Sequence, residues 1–403
     1  MDHLYPLKLG SAVVLNTKPS TDLECEKIPD LPYKPCARSG HCAVADEHNV
    51  YLLGGYNPDD DVISDYFGSN QHVPLFGEVW RYHIPSNRWH LLTNEGESHF
   101  RLASMSAILK GKTILIYGGT SYPFGYRSTN KISWLDLRRI EWHVKPEKGE
   151  NKPIRSYGQA IAVINQYLYV YGGTTGWVYC SDVHRCHVQT GVWERVFSLE
   201  EHATAMVKSG KPRNEAIPDP RYRHEMLSDD RRLYVIGGGT SDSAFALAKV
   251  NAFDTESRQW ELLDTRPDER HGFPGPRRCH GCAQLGTVGY VSGGFDGRKI
   301  YDDVWMLDLT TLQWTKLDTK LPRPVYFHSS AITPNGCMFI YGGVLDPQGT
   351  ERSDTLVRVW VRIPSLLLMA WNRVLSLLRN PTGIEKHTLQ AMGVPPSLLP
   401  DIG

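Results

Sequence analysis

Six runs of almost unbroken apolar residues, VYLLGG, ILIYGG, LYVYGG, LYVIGG, GYVSGG and MFIYGG, end in a glycine pair and punctuate an otherwise mixed chain. The pairs fall at Gly54-Gly55, Gly118-Gly119, Gly172-Gly173, Gly237-Gly238, Gly293-Gly294 and Gly342-Gly343, so the pattern recurs every 49 to 65 residues. Short apolar runs of this kind suit strands packed on both faces. Around each run the polarity changes in the same order. In the fifth repeat, HGCAQLG from His280 reads as a first strand and GYVSGG as a second. The alternating DDVWMLDL from Asp302 reads as a third, and QWTKLD from Gln313 as a fourth. A repeat of this period fixes the architecture before any single motif is weighed.

The fourth strand opens on a tryptophan in five of the repeats, at Trp89, Trp142, Trp193, Trp260 and Trp314. A large ring there fills the wedge between neighbouring sheets, and the glycines let backbones pass closely where a side chain would clash. Four-stranded sheets repeated around an axis make a propeller. The sixth repeat has its third strand, LVRVWVRI from Leu356, but no tryptophan strand follows at the expected distance. DLECEKI, Asp22 to Ile28, stands where a fourth strand precedes every other repeat. The expectation is an all-β, six-bladed propeller over residues 22–363, its last blade completed by the N-terminal strand so that neither edge is left open. Residues 1–21 form an N-terminal extension and 364–403 a separate C-terminal module.

Composition narrows the partners. With 44 basic and 44 acidic residues the chain has no general field for nucleic acid or anionic lipid, so recognition must be local. Eight unevenly spaced cysteines and the lack of a leader predict a reduced protein of the cytoplasm and nucleus. Ile363 to Leu378 is too short for a membrane span and is interrupted by Asn372 and Arg373.

Catalytic signatures are missing: there is no HExxH, GxSxG or GxxxxGK[ST]. The only compact soft-ligand cluster is Cys279-His280-x-Cys282, whose cysteines would point to opposite faces of a strand. No metal, cofactor or catalytic residue is expected. His41, His224, His280 and His328 recur in register and suit a structural task between blades. Arg38, Arg101, Arg155, Arg221 and Arg277 likewise precede first strands and read as struts from blade to blade. Arginines that break the repeat, Arg223, Arg278 and Arg298, are the better binding candidates. They share the loops at one end of the axis with aromatics such as Trp177, Phe295 and Tyr326-Phe327, a combination suited to an anion flanked by apolar or small groups.

Glycine pair, aromatic third strand, tryptophan and a P-R-x-x-H-like lead-in together resemble the kelch repeat, over some 340 residues. Kelch rings are usually binding platforms, so the fold alone names no reaction. The tail carries two further likenesses. Ser365 to Val374 resembles the elongin-binding BC box, with Leu366, Ala370 and Val374 on one helical stripe and Ala370 where cysteine is usual. Val394 to Ile402 fits the cullin-2 box through Val394, Pro395, Leu398 and Ile402. Asn380 to Gly383 would break the first helix, and Ile384 to Met392 can form a second, ended by Gly393 and Pro395.

Ring and module together are similar to the kelch substrate receptors of cullin-2 ubiquitin ligases. The resemblance implies a non-catalytic receptor for C-terminal degrons, particularly ends finishing in glycine. Its partners would be elongin B/C, cullin-2, a RING subunit through the complex, and substrate C-termini. The relatives' carboxylate pocket uses arginines just after the fourth glycine pair, but here that loop reads Gly239-Thr240-Ser241-Asp242-Ser243-Ala244. Carboxylate binding must then come from Arg223, Arg278 or Arg298, with Arg155, Tyr157, Trp177, Tyr222 and Phe327 around them. The chain itself ends in Gly403, so one molecule's tail would suit another's pocket and permit self-association. The alternative is a kelch scaffold for actin or signalling proteins, whose terminal helix caps its own ring.

Overall fold

A computed structural model describes residues 25–28, 31, 33–59, 74–93, 101–146, 148–210, 212 and 214–362. Strand β1 (Cys25–Lys27) comes first in the chain. Blade one is β2 (Cys42–Ala45), β3 (Asn49–Leu53), β4 (Val79–His83) and β5 (Arg88–Thr93). Blade two is β6 (Ser106–Lys110), β7 (Thr113–Tyr117), β8 (Ile132–Asp136) and β9 (Glu141–Val144). Blade three is β10 (Ala160–Ile164), β11 (Tyr167–Tyr171), β12 (Val183–His187) and β13 (Trp193–Phe197). Blade four is β14 (Glu225–Ser228), β15 (Arg232–Ile236), β16 (Lys249–Asp254) and β17 (Gln259–Asp264). Blade five is β18 (Gly281–Leu285), β19 (Val288–Ser292), β20 (Asp303–Asp308) and β21 (Gln313–Lys320). Blade six is β22 (Ser329–Ile332), β23 (Cys337–Tyr341) and β24 (Leu356–Trp360), with β1 paired antiparallel to β24, Cys25 opposite Val359.

The sheets form a six-bladed β-propeller whose first strands neighbour one another in a closed circuit around the axis. Second strands are buried on both faces, as their apolar runs require. The fourth-strand tryptophans fill the wedges. Trp89 packs edge-on to Tyr341 of blade six, Trp260 against Tyr171 of blade three, and fully buried Trp314 donates its indole N–H to the Leu247 carbonyl of blade four. Among the described residues one α-helix, α1 (Leu199–Ser209), occupies the insertion after blade three, capped by the Ser198 hydroxyl and ended by left-handed Gly210.

Two backbone circuits tie the blades at one end of the axis. In the outer circuit the second glycine of each pair donates its N–H to a carbonyl in the lead-in of the next blade, from Gly55 to Leu102 and round to Gly343 to Arg38, at 2.8–3.1 Å. In the inner circuit Gly40, Ser104, Gly158, Arg223, Cys279 and Phe327 each donate to the residue before it in the series, Gly40 to Phe327, at 2.7–3.0 Å. All six of these inner residues are left-handed, with φ between 54° and 66°. That conformation is unusual for the four that are not glycine.

The lead-in side chains divide in a way the sequence misaligns. Arg38, Arg221 and Arg277 bond the first glycine's carbonyl of their own blade, Gly54, Gly237 and Gly293, so they clamp within a blade and do not strut between blades. Arg101 and Arg155 stand one residue earlier than these, and Leu102 and Ser156 take the clamp position. The contact between blades falls to the histidines. Their rings lie where a side chain on the previous blade's first glycine would collide, His41 on Gly342, His224 on Gly172, His280 on Gly237 and His328 on Gly293. Burial holds them neutral, His224 down to about 3 and His328 down to about 4.

Candidate functional site

The six left-handed residues form the mouth of the axial channel, and their side chains are lopsided. Blades one to three contribute Gly40, Ser104 and Gly158, whereas blades four to six contribute Arg223, Cys279 and Phe327. The Arg223 guanidinium crosses the mouth, donating to the Ser104 hydroxyl and lying 4.6 Å from the centre of the Phe327 ring. Gly40 leaves room for it, since a Cβ there would stand 3.0 Å from Arg223 Nη2.

Above the mouth each blade adds a short bridged triplet. In blade five it is Arg278, Phe295 and Ile300, in blade six Tyr326, Val344 and Arg352, and in blade one Ser39, Tyr56 and Leu75. Phe295 stacks on Tyr326 at 5.0 Å, with Arg278 beside Phe295. Arg352 bonds Ser39 Oγ through Nε and lies 5.0 Å from the Tyr56 ring centre. Tyr326 is within electrostatic reach of Arg278 and Arg352, and Tyr222 of Arg278 and Arg223, so the three guanidiniums share one aromatic rim, the bowl, although Arg223 lines the axial cavity and Arg352 a separate cleft beside Glu351 and Asp354. Burial raises Tyr222 to about 12, with Cys279 adding to the rise and Arg278 and Arg223 opposing it. Burial also raises Tyr157, opposed by Arg223.

Each of these arginines keeps a buried nitrogen without a hydrogen-bond partner, Nε of Arg223 and Nη1 of Arg278 and of Arg352. None has a carboxylate partner among the described residues. Buried donors left open in this way cost stability unless something accepts from them. A carboxylate has the charge and acceptor count to do so.

Five sequence-predicted residues thus converge, Arg223, Arg278, Tyr157, Tyr222 and Phe327. Arg155, Arg298 and Trp177 are exposed on the surrounding loops and do not join them. Arg352 was missed. It lies nine residues beyond Gly343, in a loop whose length varies between repeats, although it breaks the repeat as Arg223 and Arg278 do. The tail positions Leu366, Ala370, Val374, Val394, Pro395, Leu398, Ile402 and Gly403 lie outside the described residues.

Below the mouth a polar cavity of about 130 Å³ follows the axis. Cys279 and Cys282 both line it, because the left-handed turn at Cys279 breaks the strand alternation expected of them. Burial pushes Cys42 and Cys279 up to about 12, so neither is a thiolate at neutral pH. No group of three or more metal-ligating side chains forms among the described residues. Glu225 also lines this cavity, pushed up to about 7 by burial against the opposing charge of Arg223. Its folded value lies above the ordinary 4.5, so the ionised carboxylate destabilises the fold as pH rises from 4.5 through 7. Glu225→Gln is expected to be more stable than wild type at pH 8, by on the order of 3 kcal/mol. Thermal melts should show that gap closing near pH 4.5.

Comparison with known proteins places this geometry in context. The model of the KLHDC2/KLHL20/DRC7 Kelch-repeats domain matches residues 10–211 and 196–394. The chain is 40% identical to Kelch domain-containing protein 10 of Rattus norvegicus, over 92% of this chain and 87% of the relative. It is 41% identical to the Homo sapiens protein of that name, over 91% and 79%. The Drosophila melanogaster homolog is 33% identical, over 90% and 61%.

Proposed function

The chain belongs to the KLHDC2/KLHL20/DRC7 kelch-repeat family, and from that premise we propose that it is the non-catalytic substrate receptor of a cullin-2/elongin B/C ubiquitin ligase. The propeller binds the C-terminus of a substrate, its end most favourably glycine, and the tail recruits the ligase that marks the substrate for degradation. One observation supports the binding half of this reading: three guanidiniums share one aromatic rim, each keeps a buried nitrogen without a hydrogen-bond partner, and none forms an ion pair with a described carboxylate. A peptide's terminal carboxylate would accept from Arg278 and Arg352, with Arg223 at the floor, and a terminal glycine would spare the aromatic wall a clash. In the fold so used, β1 pairs with β24 of blade six, and the docking module would be the sequence that follows Arg362.

The recruiting half rests on the BC-box and cullin-box likenesses of the tail, where Leu366, Ala370 and Val374 would meet elongin, and Val394, Pro395, Leu398 and Ile402 would meet cullin-2. Leu366→Asp is expected to abolish co-purification of elongin and cullin-2, and Pro395→Ala to reduce cullin-2 alone, while peptide binding persists. Free and amidated versions of one glycine-ended peptide test the other half. Equal affinity for both would overturn carboxylate recognition, and failure of the wild-type chain to recruit elongin would return the protein to the class of kelch scaffolds.

A further inference from the structure

The loops after the glycine pairs of blades two and three display an apolar surface that the carboxylate site does not use. Trp177 is 80% exposed, Tyr126 75% and Val178 60%, and Tyr122 and Phe124 are also exposed. Monomers rarely leave so many large apolar side chains together in water without a use for them. The loops are held in this display. Thr120 Oγ1 accepts from the Gly125 N–H and Thr174 Oγ1 from the Gly176 N–H, both at 3.0 Å, and Thr175 Oγ1 accepts from Trp177 and Val178. Gly125 and Gly176 meet where the loops cross, since a Cβ on Gly125 would stand 3.3 Å from the Gly176 Cα. Across that crossing Tyr126 and Trp177 pack edge to face.

The surface is continuous with the arginine bowl. Arg352 lies over Tyr56, and Tyr56 in turn contacts Phe124 at 4.9 Å and stacks on Tyr122 at 6.2 Å. An extended peptide advances about 3.3 Å per residue, so a chain with its carboxylate at Arg352 brings its third and fourth residues from the end over Phe124 and Tyr122. Residues 120–129 and 174–180 carry one arginine and no acidic side chain, which favours apolar over basic occupants.

We propose that this aromatic platform selects the partner: a C-terminal peptide with large apolar or aromatic side chains at the third and fourth positions from its end. The inference rests on the carboxylate-binding reading above and narrows its substrate class. Two glycine-ended peptides of equal length test it, one with tryptophan and leucine at those positions and one with serine at both, each also prepared as the amide. The apolar peptide should bind the full chain about tenfold more tightly than the serine peptide. Tyr122→Ala/Phe124→Ala should bring it down to the serine peptide's affinity, and Tyr126→Ala/Trp177→Ala, further along the platform, should lower it less, both leaving the serine peptide unchanged. These side chains are exposed, so thermal melts should match wild type. Carboxylate-dependent binding that ignores the upstream residues, or variants that weaken both peptides alike, overturns the platform alone. Absence of any carboxylate dependence overturns the platform and the reading beneath it.

Discussion

Arg278→Ala is expected to weaken capture of a free C-terminus by at least about thirtyfold, reflecting the roughly 2–5 kcal/mol cost of truncating one side of a buried, hydrogen-bonded charge pair. The Arg278 Nη1 is a buried donor without a partner, and its guanidinium lies 6.0 Å from the centre of the Phe295 ring that stacks on Tyr326. Arg278→Lys should recover only part of the loss, because an ammonium supplies charge without the planar fork that grips both carboxylate oxygens. Amidated peptide should bind wild type and variant equally weakly. The melting temperature should hardly move, since no described ion pair is broken. Fluorescence polarisation with labelled peptides measures the effect, and an affinity loss shared by the amide would show that Arg278 shapes the bowl without meeting a carboxylate.

Its neighbour in sequence has the opposite signature. Arg277→Met is expected to cost about 3–5 kcal/mol of stability, the usual price of stranding half of a buried ion pair. Arg277 is fully buried, donates to the Gly275 and Gly293 carbonyls at 3.0 and 2.9 Å, and reaches Asp303 at 2.8 Å, with its guanidinium 4.3 Å from the Tyr301 ring centre. Trp305 gives the same carboxylate a second donor at 2.8 Å. Burial alone would raise the Asp303 carboxyl, but the hydrogen bonds and charge of Arg277 outweigh it and hold the group below its ordinary 3.8. The resulting stabilisation is complete above pH 3.8 and is lost as pH falls through the lower folded value. The gap between wild type and Arg277→Met should therefore be full at neutral pH and narrow in acid. Adding Asp303→Leu should restore part of the stability by removing the stranded charge. An unchanged melting temperature for Arg277→Met would dismiss the clamp.

The contrast between Arg277 and Arg278 marks the limit of what the residues reveal in order. The frame was legible, because glycine pairs and fourth-strand tryptophans repeat wherever two sheets must approach and a wedge must be filled. Direction was not. Arg101 and Arg155 look like Arg277 in the sequence but sit one residue out of register, and a shift of one places a side chain on another face. Cys279 deceived for the same reason, since a single left-handed φ cancels the alternation that spacing alone assumes. Arg352 joins the site from a loop of irregular length, and no period could bring it beside Tyr56.

The inner hydrogen-bond circuit divides labour at the mouth. It closes with N–H and C=O groups alone, and what the backbone demands of its six members is a left-handed φ, which glycine meets freely and Ser104, Arg223, Cys279 and Phe327 meet at a cost. Gly, Ser, Gly, Arg, Cys and Phe are one spelling of a six-letter word whose letters the frame restricts only by that conformation and by the room each leaves its neighbours, as Gly40 does for Arg223. A lineage, or a designer, can rewrite that word within those limits while every blade stays as it is. The chemistry of this mouth can change on an architecture that hardly does.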